Sequence, residues 1–333
     1  MNYLISFLVR NEKIFMFRLM GRGRFVNPHA ENVKRSVWDV ILWKAGYYED
    51  SHPNLSPPAN FIYPASPKPH MRGKPTATWI GHSTYFLEVD GLHILTDPVW
   101  DLYCSPIPIK ALRRQTLPPM LLTELPRIDL VLISHNHYDH LDAKTVATLH
   151  KLHPQIQWIV PSRLKNWFAK RGIFNVIEIP WWETAPFKKA RITAVPTQHF
   201  SGRTLWDQNK THWNGYVLET ENRRIYFTGD TGYNPKDFKA IGEKFPYMDL
   251  SLIPIGTYSP QKFMQPVHIG PQEAVQIHQE VKSRLSLGMH WKTFRLSDEP
   301  ADRPPFDLYL SMKEKRLPFE TFLPIDIGIQ INF

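Results

Sequence analysis

From Thr76 onward the chain is a succession of short apolar runs that end in polar or glycine-containing loops. Runs at 77–80, 85–89, 93–96, 130–134, 158–161, 176–179, 191–195, 216–219, 224–228 and 250–254 have the length and the β-branched and aromatic content of strands. Stretches with helical spacing lie between some of them, at 143–152, 164–171 and 271–284. The last opens on Pro271 and sets Ala274, Ile277, His278 and Val281 on one face. Early strands follow one another as hairpins and later ones alternate with helices. The pattern predicts an α/β chain with two sheets packed face to face and helices outside, an αββα layering. No repeat of solenoid period is present.

Residues 1–75 read as an N-terminal arm, and 76–333 as the domain. The arm begins with two apolar stretches, Leu4-Ile5-Ser6-Phe7-Leu8-Val9 and Ile14-Phe15-Met16-Phe17, interleaved with Arg10, Lys13, Arg18, Arg22 and Arg24. The charges come too early for a spanning helix. A basic start, an uninterrupted apolar centre and a small-residue cleavage site are all missing, so a cytoplasmic protein is expected. Basic and bulky apolar residues in alternation suit an arm lying peripherally on an anionic membrane, where each nearby Lys or Arg contributes about 1 kcal/mol. Packing on its own or a partner domain suits them equally. Trp38, Trp43, Tyr47 and Tyr48 follow on an expected helix. Pro53, Pro57, Pro58, Pro64, Pro67 and Pro69 then exclude regular helix or central strand and predict an extended segment wrapped over the domain.

Composition narrows the chemistry. With 333 residues and 42% hydrophobic content the chain can bury a core without staples. Cys104 is the single cysteine, which excludes an intrachain disulfide and any cysteine-based zinc site. A borderline metal would have to be held by carboxylates and by some of the 15 histidines. The formal charge of +9 favours anionic partners such as phosphorylated metabolites, anionic membrane or nucleic acid. No helix-turn-helix, RNP-type or Arg-rich segment accompanies it, so nucleic acid is not expected.

The central observation is Ser134-His135-Asn136-His137-Tyr138-Asp139-His140, which follows directly on the apolar run Ile128-Asp129-Leu130-Val131-Leu132-Ile133. A strand that stops at a sharp loop would hold His135 and His137 on a rigid support and let the loop turn Asp139 and His140 toward a second position. Two adjacent metal sites are the natural reading, because co-catalytic ions sit ~3.5–4 Å apart. Histidines also gather in polar loops by composition alone, but this cluster terminates a buried strand. His199, Asp230 and His290 each follow a further apolar run and supply more ligand chemistry.

This order of ligand-type residues is similar to the metallo-β-lactamase superfamily. Several longer strings resemble the N-acylphosphatidylethanolamine-hydrolysing phospholipase D family and its bacterial relatives. They are Trp79-Ile80-Gly81-His82-Ser83-Thr84, Leu95-Thr96-Asp97-Pro98, Arg203-Thr204-Leu205, Asn209-Lys210, Phe227-Thr228-Gly229-Asp230-Thr231-Gly232-Tyr233, Ile253-Pro254-Ile255-Gly256 and His290-Trp291-Lys292-Thr293-Phe294. The resemblance runs from about Thr76 to past Leu296. It implies two Zn2+ per chain, one on His135, His137 and His199, the other on Asp139, His140 and His290, with Asp230 bridging them. It also implies a homodimer, and places His268 at the rim of the site as a catalytic and substrate-contacting residue. The mammalian lipid hydrolases of this family carry Gln before that His, where this chain has Val267. A surface-loop role for His268 is the alternative.

Around the centre, His82 is expected to orient ligands without binding metal, and Asp97 either to fix an imidazole tautomer or to cap a turn. Arg203 and the segment Lys110-Ala111-Leu112-Arg113-Arg114 are read as guides for a phosphate-bearing substrate or as solvated surface. Trp181-Trp182 suit core packing better than a membrane interface. The leading expectation is a phosphodiesterase of phospholipase D type, in which hydroxide held by the metals attacks an N-acylphosphatidylethanolamine-like lipid and releases phosphatidic acid and an N-acylethanolamine. A soluble hydrolase of a small phosphorylated or lactone substrate is the second reading. A metal-stabilised nucleic-acid-binding or interaction protein is the third; it is disfavoured because structural zinc sites are closed four-ligand sites.

Overall fold

The computed structural model describes residues 23–30, 37–48, 56–67, 71, 73–204 and 206–333. The basic and apolar stretches of the first 22 residues, and the membrane-lying arm expected of them, fall outside the described residues, as do Pro53, Pro69, Leu205 and the Trp38 side chain. Among the described residues no helix is long and apolar enough to cross a membrane.

The strands are β1 (Thr76–Gly81), β2 (Thr84–Val89), β3 (Leu92–Thr96), β4 (Leu130–Leu132), β5 (Gln157–Val160), β6 (Val176–Glu178), β7 (Thr184–Phe187), β8 (Ala190–Val195), β9 (Gly215–Glu219), β10 (Arg224–Phe227), β11 (Leu250–Pro254), β12 (Ser286–Met289), β13 (Phe322–Leu323) and β14 (Gln330–Asn332). They form two sheets of seven strands, ordered β14-β1-β2-β3-β4-β5-β6 and β13-β12-β11-β10-β9-β8-β7. Each sheet is antiparallel in one half and parallel in the other, the successive pairs from β3 to β6 and from β10 to β13 being parallel. The helices used below are α1 (Val37–Lys44), α2 (Ala143–Leu152), α3 (Lys165–Ala169), α4 (Pro235–Lys244), α5 (Gln261–Met264), α6 (Pro271–Glu280) and α7 (Arg303–Glu314).

The layering follows from the alternation of side chains along each strand. Leu130 and Leu132 of β4 enter the core shared by the two sheets, whereas Val131 and Ile133 face the opposite way. There they meet Val146 and Leu149 of α2 and Phe168 of α3, whose ring lies 5.2 Å from Trp158. The same split divides Tyr85 and Leu87 from Phe86, and Ile94 from Leu95. Outside the second sheet, α4, α6 and α7 contribute Phe238, Ile241, Ala274, Ile277, Leu308 and Met312. Full burial of each such side chain contributes roughly 1.5–3 kcal/mol, enough in sum to fix the layers. The expected αββα architecture is the one observed.

Boundaries differ in instructive ways. The helix expected at 271–284 ends at Glu280, because Lys282 turns to φ 54° and feeds β12. The helices α4 and α7 were not anticipated from the pattern. The first begins with Asn234 accepting the Asp237 N–H at 2.9 Å and Pro235 in the first turn. The second carries Pro304 and Pro305 in its first turn, where a missing N–H costs nothing. Segments preceding Thr76 lie on this body. Trp43 stacks on Phe263 at 4.9 Å, Phe61 meets Phe306 at 4.9 Å, and the Tyr63 hydroxyl donates to the Phe322 carbonyl at 2.8 Å.

Two buried tyrosines tie the sheets together. Tyr85 of β2 donates to the Gly288 carbonyl of β12 at 2.8 Å, and Tyr216 of β9 donates to the Ile133 carbonyl beyond β4 at 2.9 Å. Tyr216→Phe removes one hydroxyl and leaves the Ile133 carbonyl without that donor, so chemical denaturation is expected to show a loss of about 1–2 kcal/mol. No loss would mean that this tie contributes nothing to the packing of the sheets.

Candidate metal centre

Ligand-type residues converge because each follows the end of a strand. His135 and His137 lie beyond β4, His199 beyond β8, Asp230 beyond β10 and His290 beyond β12. The backbone must turn sharply there, and His82, Asp97, Gly229, Thr257 and His290 all take positive φ, between 30° and 66°. For residues other than Gly this is a strained conformation that the surrounding packing has to enforce. Gly229 needs its freedom for a second reason: a Cβ there would stand 2.7 Å from the Ser134 Cβ and 3.0 Å from the Asn214 carbonyl.

Two groups face each other. His135 Nε2 and His199 Nε2 lie 2.8 and 3.3 Å from His137 Nδ1, so three ring nitrogens meet in one place. Opposite them, Asp139 Oδ2 lies 2.8 Å from His82 Nε2, 3.3 Å from His140 Nε2 and 3.5 Å from His290 Nε2. Asp230 Oδ2 stands between the groups, 3.1 Å from both His140 Nε2 and His290 Nε2, 3.7 Å from His199 Nε2 and 4.0 Å from His135 Nε2. Nearly all of this is buried: His135, His140, His199, His290 and Asp230 are each at most 2% exposed.

The outward nitrogens of these rings are already assigned. His140 Nδ1 donates to Asp97 Oδ2 at 2.6 Å, and His199 Nδ1 donates to the Val267 carbonyl at 2.8 Å. His290 Nδ1 lies 3.0 Å from Thr257 Oγ1, and His135 Nδ1 lies 2.8 Å from Ser134 Oγ, which also donates to Asp97 Oδ2 at 2.5 Å. Fixing the outer nitrogen leaves the lone pair of the other aimed inward, the arrangement metal-binding imidazoles need. Among the described residues, His140 Nε2, His290 Nε2 and Asp230 Oδ1 are buried without a hydrogen-bond partner. Buried polar atoms are costly to orphan, and this donor set of imidazoles and carboxylates fits a pair of divalent, borderline cations. His82 is a different case: its Nε2 donates to Asp139 and so orients a carboxylate oxygen.

Charge follows the same division. Burial pulls His135 and His199 well below the ordinary imidazole range and His137 down to about 4, with neighbouring histidines adding to the shift of the first two. Burial also lowers His82, to about 3, with His290 reinforcing it. For His140 and His290 burial is outweighed by Asp230 and Asp139, which hold His140 well up and His290 at about 9. Both carboxylates are kept well below their usual range, burial being overcome mainly by His140.

His268, 14% exposed, stands with Nδ1 at 3.9 Å from Asp230 Oδ2, at the edge of the centre, and that nitrogen has no hydrogen-bond partner among the described residues. Arg203 is turned onto the ligand-bearing turn: its Nη1 donates to the carbonyls of Asn136 at 2.9 Å and Leu141 at 2.7 Å, and its guanidinium lies 3.8 Å from the Tyr138 ring centroid. In the basic segment Lys110 and Arg113 are exposed, while Arg114 is buried and donates to the Val99 carbonyl at 2.6 Å. Trp181 is buried with its Nε1 donating to the Trp213 carbonyl at 2.7 Å, and Trp182 is partly exposed at 38%. Ser134 and Thr257 are not distinguished by the sequence pattern. Adjacency to His135 and to Gly256 is their only signal.

Two outcomes are expected of this centre. Loading it with metal must displace protons from His290, held at about 9, and from His140, held well above the ordinary imidazole range, so affinity rises with pH through at least the His290 titration. Calorimetry in buffers of different ionisation enthalpy counts those protons, and none released would contradict the assignment. Asp97→Asn is expected to weaken one bound metal by roughly 10–100-fold in chelator competition; an unchanged affinity would leave Asp97 as a turn cap only.

Comparison with known proteins places this geometry. The model of the beta-lactamase superfamily domain matches residues 93–291. The chain is 37% identical over 338 residues to the N-acyl-phosphatidylethanolamine-hydrolyzing phospholipase D 1 of Caenorhabditis elegans, covering 96% of this chain and 92% of that protein. It is 40% identical over 228 residues to the mitochondrial N-acyl-phosphatidylethanolamine-hydrolyzing phospholipase D of Saccharomyces cerevisiae, covering 67% of this chain and 48% of that protein. Among solved structures, the metallo hydrolase Igni18 of Ignicoccus hospitalis shares the fold, with a TM-score of 0.60 at 20% identity over 78% of this chain and 98% of that one. The chain belongs to the N-acylphosphatidylethanolamine-hydrolysing phospholipase D family of the metallo-β-lactamase superfamily and is a metal-dependent hydrolase.

Proposed function

We propose that the protein is a two-zinc phosphodiesterase that cleaves N-acylphosphatidylethanolamine-like lipids into phosphatidic acid and an N-acylethanolamine. The observation that carries the reading is Asp230 Oδ2 standing between a group of three imidazoles and a group of one carboxylate and three imidazoles, one of which, His82, is turned to the carboxylate. His135, His137 and His199 would hold one ion, Asp139, His140 and His290 the other, and Asp230 both. Bound there, two cations would supply positive charge to a phosphoryl group and would lower the pKa of a bound water to about 7.

The remaining roles fall to the chain itself. Asp230, a carboxylate at neutral pH, offsets the mutual repulsion of two cations. His82 and Asp97 keep Asp139 and His140 in orientation through bonds of 2.8 and 2.6 Å. His268 is held down to about 4 by burial and is therefore neutral, so its one ring N–H can donate to a phosphoryl or leaving oxygen. In the overall reaction water adds its oxygen to phosphorus, the bond from phosphorus to the N-acylethanolamine oxygen breaks, and that oxygen takes up the proton. Arg203 serves the site by gripping the turn of Asn136 to Leu141. The names of the worm and yeast relatives favour the lipid substrate over a small phosphorylated or lactone one. Docking on an anionic membrane surface and a cytoplasmic location belong to the same proposal.

The test is zinc content and turnover of the purified chain on micellar N-acylphosphatidylethanolamine beside a water-soluble phosphodiester. Two zincs are expected, with hydrolysis of the lipid that falls at least a hundred- to a thousandfold in Asp230→Asn. Activity on the soluble ester alone would transfer the assignment to a small substrate, and a metal-free, inactive chain would remove the mechanism.

A further inference from the structure

His199 sits on the longest irregular connection of the second sheet, residues 196–214, between β8 and β9. Part of what holds that connection comes from far away in the chain. Residues 23–29 lie along it as a strap. The Arg24 guanidinium donates to the Gln208 carbonyl, and the Phe25 N–H donates to the Asn209 carbonyl at 2.8 Å. The Phe25 ring packs 4.3 Å from His212 and joins Trp181 and Trp213 in a small buried cluster, while Arg163 caps the ring at 4.7 Å and donates to the Gly23 carbonyl. Farther along, His29 Nδ1 lies 2.8 Å from Asp237 Oδ1 at the start of α4. Between these two anchors, Asn27 Nδ2 donates to the backbone carbonyl of His199 at 2.8 Å. Among the described residues, the buried Asn27 Oδ1 meets no donor, so none of them holds the amide elsewhere.

We infer that Asn27 is a positioning residue for the metal held by His135, His137 and His199, and that the strap of residues 23–29 is a working part of that site. The inference rests on the two-metal reading above. The His199 ring is held by the Val267 carbonyl at 2.8 Å, and the chain before it by Gln198, whose carbonyl accepts the Gly232 N–H at 2.7 Å and whose N–H donates to Thr231 Oγ1 at 2.9 Å. The ring bond sets the tautomer and Gln198 fixes the entry to the residue, while the bond from Asn27 holds the peptide that leaves it. Only one of the two groups is touched in this way. His140 and His290 follow other strand ends, with their own partners in Asp97 and Thr257. An effect confined to one ion is therefore the signature of positioning, and an effect on both in proportion to stability is the signature of packing.

The experiment uses the full chain loaded with zinc. Asn27→Asp keeps the shape and removes the donor, and Asn27→Ala removes the side chain. Chelator competition should show one of the two zincs held at least about tenfold more weakly in both variants, with the other unchanged. The melting temperature of the metal-free chain should fall by no more than the few degrees that the loss of one hydrogen bond costs. Activity lost at limiting zinc should return at high free zinc. In a His140→Ala background, which retains the three-imidazole group, the weakening should persist; in a His137→Ala background it should vanish. Unchanged affinities in wild-type background, or equal weakening of both ions together with a lower melting temperature of the metal-free chain, would overturn the inference. A wild-type chain that binds no zinc would overturn the two-metal reading itself, whereas normal wild-type loading with an indifferent Asn27 would overturn only the strap.

Discussion

Two carboxylates, Asp230 buried and Asp139 largely so, sit among seven imidazoles, five of them of ligand type, and set the terms for the rest of this structure. Asp139 and Asp230 lie where an isolated charge is several kcal/mol out of place, so they must be paired wherever they stand. The imidazoles can do this in two currencies. As imidazolium, His140 and His290 neutralise the carboxylates with protons; as neutral ligands, all five present lone pairs to cations that neutralise them better. The distances decide which use the geometry favours. His140 Nε2 and His290 Nε2 come to 3.1 Å from Asp230 Oδ2 without the orientation of a hydrogen bond, a compromise that a proton tolerates and a cation satisfies.

Holding such a set in place requires rigidity at the strand ends. The two sheets provide it by joining where the ligands emerge. Tyr216 and Asn214, at the start of β9, reach the Ile133 and Ile179 carbonyls, and the Asn214 N–H donates to the Ser134 carbonyl at 2.8 Å. On the other side the Thr293 hydroxyl accepts the His82 N–H at 2.6 Å, and the His290 N–H donates to the His82 carbonyl at 3.0 Å. The positive φ angles of His82 and His290 are thus enforced by a mutual backbone contact, which lets strain persist where orientation matters.

How much of this is legible in the sequence depends on range. The strand periodicity of Leu130 to Ile133 and the ligand types that follow are local, so the layering and the convergence of His135, His199, Asp230 and His290 can be read directly. Helix α7 is hidden because Pro304 and Pro305 look like breakers until their place in the first turn is known. Arg203 illustrates a deeper limit: a guanidinium near a phosphate site suggests substrate, yet two backbone carbonyls of the metal loop claim it. Carbonyls are invisible to residue-type reasoning. The same is true of the Tyr216 contact with Ile133 and of Asn27 with His199, which join residues 83 and 172 positions apart.

The two halves of the centre differ in what they can rely on. The half with Asp139 has a full negative charge of its own, and Coulomb attraction tolerates small errors in placement. The half with His135, His137 and His199 has neutral rings and only a share of Asp230. On the proposed reading its hold on a cation would come from direction, because three lone pairs must point at one place. A site built on direction needs more support from its surroundings than one built on charge. His199 follows the Gln198–Gly232 bridge onto an irregular loop, while His135 and His137 follow the end of β4. It is at His199 that the chain recruits the Val267 carbonyl from one side and Asn27 from the other.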